Sequence, residues 1–243
     1  MHMGYYVKVE PNVKVYVEDL NPDGKKTIVF LHGWPGNHNL FEYQFNQLPK
    51  LGFRCIGIDQ RGFGKSDKPY GDYDYDRLSD DVRCVVNGLK LHDFILAGHS
   101  TGGAIAIRYM SRHKGYGVSK LALFASAAPS LIKRPNFPYG LEKEDVIKII
   151  EVTYTDRPKM LSDSGDTFFF QHISKQFSDL AEINVPTLII HGIHDKVVPF
   201  QLGKVQNQSI RNSKLLPFEF SGHASFYDQR DRFNEELVKF IEE

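Results

Sequence analysis

The sequence predicts an α/β protein: a largely parallel sheet covered by helices on both faces, interrupted once by a small helical insertion. Three features predict it. Short, unbroken apolar runs recur along the 243 residues, as strands buried on both faces demand. Segments with apolar residues at helical spacing lie between those runs, and strands alternating with helices build parallel sheets. One stretch, residues 129–181, breaks the alternation and is too long for a plain loop.

Taken in order, Tyr5 to Val9 and Val13 to Val17 alternate apolar and polar residues at period two. They read as a hairpin at an antiparallel edge, closed by the turn residues Asn21-Pro22-Asp23-Gly24. Thr27 to Leu31 is the first fully apolar run. Arg54 to Ile58, Phe94 to Ala97, Lys120 to Ala125 and Thr187 to His191 repeat the pattern, and Leu215 to Phe220 reads as a last strand. Leu78, Val82, Val85, Val86 and Leu89 fall on one face of a helix. Ala104 to Met110 is a second helix, and Leu237, Phe240 and Ile241 mark an amphipathic helix near the end of the chain. Within 129–181, Pro129, Pro135, Pro138 and Pro158 punctuate helix-like pieces without a clear strand. The expected division is a core of residues 1–128 and 182–243, with 129–181 as a helical cap over the C-terminal edge of the sheet.

Lys plus Arg and Asp plus Glu number 30 each, so the formal net charge is zero. Nucleic-acid binding and a polybasic membrane anchor both call for a basic excess. No apolar run approaches the ~18 residues of a membrane span, and the opening MHMGYYVKVE has no hydrophobic signal core. Cys55 and Cys84 sit among apolar residues and form no disulfide framework. The expectation is a cytoplasmic protein with two reduced thiols and no nucleic-acid or membrane partner. A homo-oligomer is compatible with all of this.

The chemistry begins at Gly98-His99-Ser100-Thr101-Gly102, a G-x-S-x-G pattern between a predicted strand and a predicted helix. A serine there sits on a sharp turn that lifts its hydroxyl clear of the sheet. The helix that follows aims its amide groups at the site. A serine hydroxyl needs a base. His223, in a loop before the last helix, is the candidate, and Asp195, just past the TLIIHG strand, is the carboxylate to orient it. The chain order Ser100, Asp195, His223 suits a nucleophile on a strand-to-helix turn. Two backbone N–H groups should hold the oxyanion. Thr101, next after Ser100, is one, and Trp34 in His32-Gly33-Trp34-Pro35-Gly36 is the other; Pro35 has no N–H to compete.

With these residues in place, the sequence resembles the α/β-hydrolase superfamily. Within it, the resemblance is to the esterase group once called cofactor-free bacterial haloperoxidases, with its perhydrolases and aryl esterases. The segments that carry it are LHGWPG (31–36), IDQRGFGKSDKP (58–69), LAGHSTGG (96–103), VPTLIIHGIHDKVVPF (185–200) and SGHASFYDQ (221–229). The resemblance implies Ser100 as nucleophile, His223 as base, Asp195 as its orienter, and the Trp34 and Thr101 amides as the oxyanion hole. It implies a structural turn at Asp59, Arg61, Gly62 and Gly64. Pro35 is similar to the proline of members that also make peracids from peroxide. The sequence departs from the group at Thr101, where those esterases usually carry Met, and in its shorter insertion.

The expected reaction is hydrolysis of a small carboxylic ester through an acyl-enzyme, with no cofactor. A serine at position 100 counts against the relatives that use an Asp nucleophile, the epoxide hydrolases and haloalkane dehalogenases. A C–C bond or lactone hydrolase on the same triad stays open, as does a small-molecule receptor or regulatory protein that retains the pocket. Pro35, Leu131, Phe137, Phe168, Val197, Val198 and Phe226 are the expected substrate-binding residues, and Phe169 and Phe170 extend the apolar stripe of the cap. His191-x-x-His194-Asp195 has the spacing of a metal motif, but two histidines at a strand end do not share a face, so no metal is expected. His99 reads as a buried, hydrogen-bonded ring. Gly62-x-Gly64 lacks the third glycine of a dinucleotide motif.

Overall fold

A computed structural model describes residues 2–130, 132–134, 137–155 and 176–243. The expected positions Leu131, Pro135, Pro158 and Phe168 to Phe170 lie outside the described residues. The strands are β1 (His2–Glu10), β2 (Val13–Leu20), β3 (Thr27–Leu31), β4 (Arg54–Ile58), β5 (Phe94–His99), β6 (Val118–Phe124), β7 (Thr187–Gly192) and β8 (Ser213–Phe218). The helices are α1 (Glu42–Gln47), α2 (Tyr75–Gly88), α3 (Thr101–Arg112), α4 (Lys143–Thr155), α5 (Gln176–Ala181), α6 (Phe200–Ser209), α7 (Ser225–Asp228) and α8 (Arg230–Glu242).

Among the described residues the strands form one sheet in the order β1-β2-β4-β3-β5-β6-β7-β8. Only β2 runs against its neighbours; every pair from β4 to β8 is parallel. The chain goes from β3 to β4 on one side and β5 forms on the other, so the strand order reverses at β3. Ligand sites in such sheets open at the carboxyl ends of the strands flanking that reversal. The loops after β3 and β5 carry His32 to Gly36 and Ser100.

Alternation along the strands splits the core in two. Val29, Leu31, Leu96, Leu121 and Ile189 face α2 and α3, whose Val82, Val85, Ile105 and Tyr109 cover them. Ile28, Phe30, Ile95, Phe124 and Ile190 face the other way, against Phe41, Phe233, Leu237 and Ile241. Burial of both faces explains the unbroken apolar runs. Helix α2 starts where Asp74 caps it, its side chain accepting from Arg77 N at 2.8 Å.

Three elements differ from expectation. Strand β8 begins and ends two residues earlier, and Phe220 beyond it is 82% exposed. Pro217 lies within β8, which the sheet tolerates because β8 is an edge. Helices α1 and α6 were not legible as periodic segments. Leu180, from α5, and Ile183 join the core on the α3 side, and Arg108 of α3 reaches Asp179 at 3.2 Å. Among the described residues no helix is long and apolar enough to cross a membrane.

The turn after β4 is anchored from below by Arg61, whose side chain is fully buried. Its Nε and Nη2 donate to Asp81 at 2.6 and 2.8 Å, Nη2 also to Glu10 at 2.5 Å, and Nη1 to the Asp72 carbonyl at 3.2 Å. Burial favours a neutral guanidine, but the bonds to Asp81 and Glu10 outweigh it and raise the Arg61 pKa. Arg77 balances the second negative charge, with Nη2 2.9 Å from Asp81. Removing one partner of such a cluster leaves a buried carboxylate under-compensated. Arg61→Leu is expected to lower unfolding free energy by about 3 kcal/mol, read by urea denaturation; a loss under about 1 kcal/mol would contradict this account.

Candidate active site

Ser100 stands between β5 and α3 with φ 52° and ψ −119°. That left-handed backbone is uncommon for a residue with a Cβ and costs of order 1–3 kcal/mol. Main-chain bonds impose it. Ser100 N donates to Phe124 O at 3.0 Å, and Ser100 O accepts from Ala104 N at 3.2 Å and Ala127 N at 2.9 Å.

Two glycines let the β3 loop close on this turn. A Cβ on Gly102 would lie 2.2 Å from Leu31 O, and one on Gly33 would lie 2.9 Å from Ser100 Cβ. Without side chains there, the first turn of α3 sits directly on the end of β3. Trp34 and Thr101 are thereby brought together. The Trp34 N–H differs from the expectation of an amide facing a substrate: it donates to the Thr101 hydroxyl, Oγ1, at 2.9 Å.

Asp195 and His223 meet across the ends of β7 and β8. His223 Nδ1 donates to Asp195 Oδ2 at 2.8 Å. Asp195 Oδ1 is committed elsewhere, accepting from Val197 N at 2.8 Å and Val198 N at 2.9 Å. His191 Nε2, which donates to Val198 O at 2.8 Å, is also 3.4 Å from Asp195 Oδ2. Burial works to raise the Asp195 pKa, but hydrogen bonds from His191 and His223 outweigh it and hold the carboxyl below the usual range.

His99 ties the two halves together. Its Nε2 lies 2.9 Å from the His223 carbonyl, so that nitrogen carries the ring proton and donates. The two rings are 4.6 Å apart at their centroids. Burial, then the neighbouring His223, push the His99 pKa down to about 3, which keeps the ring neutral at pH 7. His32 anchors the β3 loop the same way. Its Nδ1 donates to Gly33 O at 3.0 Å, its Nε2 accepts from Gln60 N at 3.0 Å, and burial lowers its pKa to about 4. Asp59, from the same Gln60 turn, accepts from His38 Nδ1 at 2.8 Å and from Lys65 N at 2.8 Å.

Of the expected pocket residues, Phe137, Val197 and Val198 form one small apolar cluster with Ala127 and Leu202, beside Asp195. Pro35 is half-buried beside Trp34. Phe226 departs from expectation. It is 1% exposed and packs edge-on against His99 at 4.9 Å and against Phe41 and Phe233, so it supports the histidines from within the core. His191 is buried while His194 is exposed, so the pair does not converge. Among the described residues no group of three His, Cys, Asp or Glu side chains is placed to hold a metal ion. Sequence reasoning missed the Gln60–His32 clamp and the contact of His191 with Asp195; a polar residue at the end of an otherwise apolar strand was the available signal.

Comparison with known proteins adds the family. The model of the alpha/beta hydrolase fold matches residues 26–150. The chain belongs to the α/β-hydrolase family. It is 44% identical to the AB hydrolase superfamily protein YisY of Bacillus subtilis, over 98% of this chain and 99% of that one. It is 28% identical to the bifunctional esterase/perhydrolase DCH of Acinetobacter calcoaceticus, over 97% and 99%. Among solved structures it is similar to the esterase EaEST from Exiguobacterium antarcticum, with 39% identity and TM-score 0.92, covering 99% of this chain and 100% of that one. The expected fold and its place near the esterase and perhydrolase group therefore hold.

Two outcomes follow from the geometry. Glycine adopts the Ser100 backbone without strain, so Ser100→Gly should be about 1 kcal/mol more stable than Ser100→Ala, measured by urea denaturation of both; equal stabilities would remove strain from the account. Because the folded-state pKa of Asp195 lies below its unfolded value, its carboxylate stabilises the fold at neutral pH. That contribution is lost as pH falls below about 4. Asp195→Asn should therefore lower the melting temperature at pH 7 and narrow the gap to the parent protein at pH 3. A gap that widens in acid would contradict the assignment.

Proposed function

We propose that the protein is a serine hydrolase of small carboxylic esters, acting through an acyl-enzyme. The observation that carries this reading is the His223–Asp195 pair beside the strained Ser100 turn. With Asp195 Oδ1 committed to two backbone amides and Oδ2 to His223 Nδ1, the His223 ring has one tautomer, with Nε2 as its basic nitrogen. His99 fastens the His223 loop to the residue next to Ser100.

In this reading the Ser100 hydroxyl oxygen attacks the ester carbonyl carbon as its proton passes to His223 Nε2. Asp195 stabilises the imidazolium that forms. The tetrahedral intermediate collapses by breaking the bond to the alcohol oxygen, which takes the proton from His223. Water then repeats the sequence on the acyl-serine, releasing the acid and restoring Ser100. Similarity to EaEST, named an esterase, and to DCH, named an esterase/perhydrolase, supports ester chemistry. The Phe137, Val197 and Val198 cluster supplies an apolar wall for the acyl or aryl group. Two free thiols, Cys55 and Cys84, favour the reducing cytoplasm as its location.

The test is steady-state hydrolysis of p-nitrophenyl acetate, butyrate and octanoate with Ser100→Ala alongside. The expected result is turnover that falls by about 10⁴-fold or more in the variant, with a preference for the shorter chains. Equal turnover in both proteins would overturn the reading. The same pair, given acetate and hydrogen peroxide, tests whether Ser100 also makes a peracid, as bromination of an indicator dye.

A further inference from the structure

The Thr101 side chain stands where the two oxyanion amides were expected to work alone. Its Oγ1 accepts the Trp34 N–H at 2.9 Å, and the residue is 9% exposed at the mouth of the Ser100 turn. A threonine hydroxyl is one donor and two acceptor sites. One acceptor site is used. Among the described residues the hydroxyl donates to no acceptor. Buried polar groups are rarely left in that state, so the proton has a partner when the site is in use.

Resting on the serine-hydrolase reading, we infer that the Thr101 hydroxyl is itself a donor of the oxyanion hole. The oxyanion then lies between the Thr101 amide and the Thr101 hydroxyl, and Trp34 acts through that hydroxyl. Two physical effects favour this arrangement. A hydroxyl that accepts a hydrogen bond becomes a stronger donor, because the two bonds polarise each other. A bond to an oxyanion is charge-assisted and about twice as strong as one to a neutral carbonyl, so the hydroxyl contributes more in the transition state than in the bound ester. The alternative, in which the hydroxyl only fills the place of the substrate oxygen and must be displaced, makes the opposite prediction. Removing it would release the Trp34 N–H and speed the reaction.

No other side chain in the motif supplies this. Its neighbour Gly102 has none, and His99 points its proton at the His223 carbonyl. A side chain without a hydroxyl at position 101 would have no proton to donate here.

The experiment compares Thr101→Val, Thr101→Ser and Thr101→Ala with the parent protein and with Ser100→Ala. Each is assayed for kcat and KM on p-nitrophenyl butyrate and for inhibition by an aryl trifluoromethyl ketone, whose serine adduct carries an oxyanion. Removing one oxyanion donor costs about 10²–10³ in kcat. Thr101→Val and Thr101→Ala should fall in that range with KM nearly unchanged, and lose ketone affinity in parallel. Thr101→Ser should stay within about threefold of the parent. Melting temperatures of all variants separate misfolding from lost chemistry, and the Ser–Ala pair decides the matter if valine does not fold. Unchanged or faster turnover in Thr101→Ala would overturn the proposal while leaving the serine mechanism intact. Turnover that survives in Ser100→Ala would overturn the mechanism itself.

Discussion

Three main-chain hydrogen bonds hold Ser100 in a backbone conformation that a serine does not choose, and the rest of the site is arranged around that turn. One bond comes from the end of β6 and two converge on the Ser100 carbonyl, from α3 and from the loop after β6. The strain is therefore borne by parts of the sheet that are fully buried and cannot relax independently. The loops around it reach this turn from distant points in the chain. The β3 loop approaches over two residues without side chains, and the His223 loop approaches under the tether of His99.

Around the turn, buried histidines do structural work in fixed tautomers. His32 spends its proton on the Gly33 carbonyl and its lone pair on Gln60. His99 and His191 each donate from Nε2 to a carbonyl, of His223 and Val198 respectively. Each ring ties a loop's backbone in place through these bonds. For His32 and His99, burial disfavours the charged ring, so these locks do not open in the ordinary pH range. The candidate base His223 differs from these by being partly exposed.

Much of this was legible in the sequence. The strands were, because burial on both faces leaves runs such as Thr27 to Leu31 with no polar interruption. The Ser100 turn was, because the G-x-S-x-G glycines lie between an apolar run and a helical segment, and the positions of Asp195 and His223 after strands were too. Helix α6 was not. Its buried Gln206 bonds the carbonyls of Ser126 and Ala128, so a polar residue occupies a core position and hides the helical period. Phe226 was misjudged for the converse reason. Proximity to His223 in sequence suggested a pocket wall, while the α7 turn directs the ring into the aromatic stack with Phe41 and Phe233. The contact between Trp34 and Thr101 depends on how closely two loops approach, which a linear pattern does not encode.

Helix α8 fastens the end of the chain to its beginning. Asp231 accepts from Tyr43 and Asn234 from Gln44, while the Ile241 carbonyl accepts from Lys26 and Glu242 from Lys25. These pairs are 188 to 217 residues apart. Helix α7, which directly follows His223, packs in the same layer through Phe226. Contacts that span so much chain form late, since long loops must close before they are rewarded. The strand-and-helix units from β3 to β7 can therefore assemble before the loop that carries His223 docks. The loop that carries His223 is therefore set in place by long-range contacts, while the Ser100 turn rests on hydrogen bonds from α3, from β6 and from the loop after it.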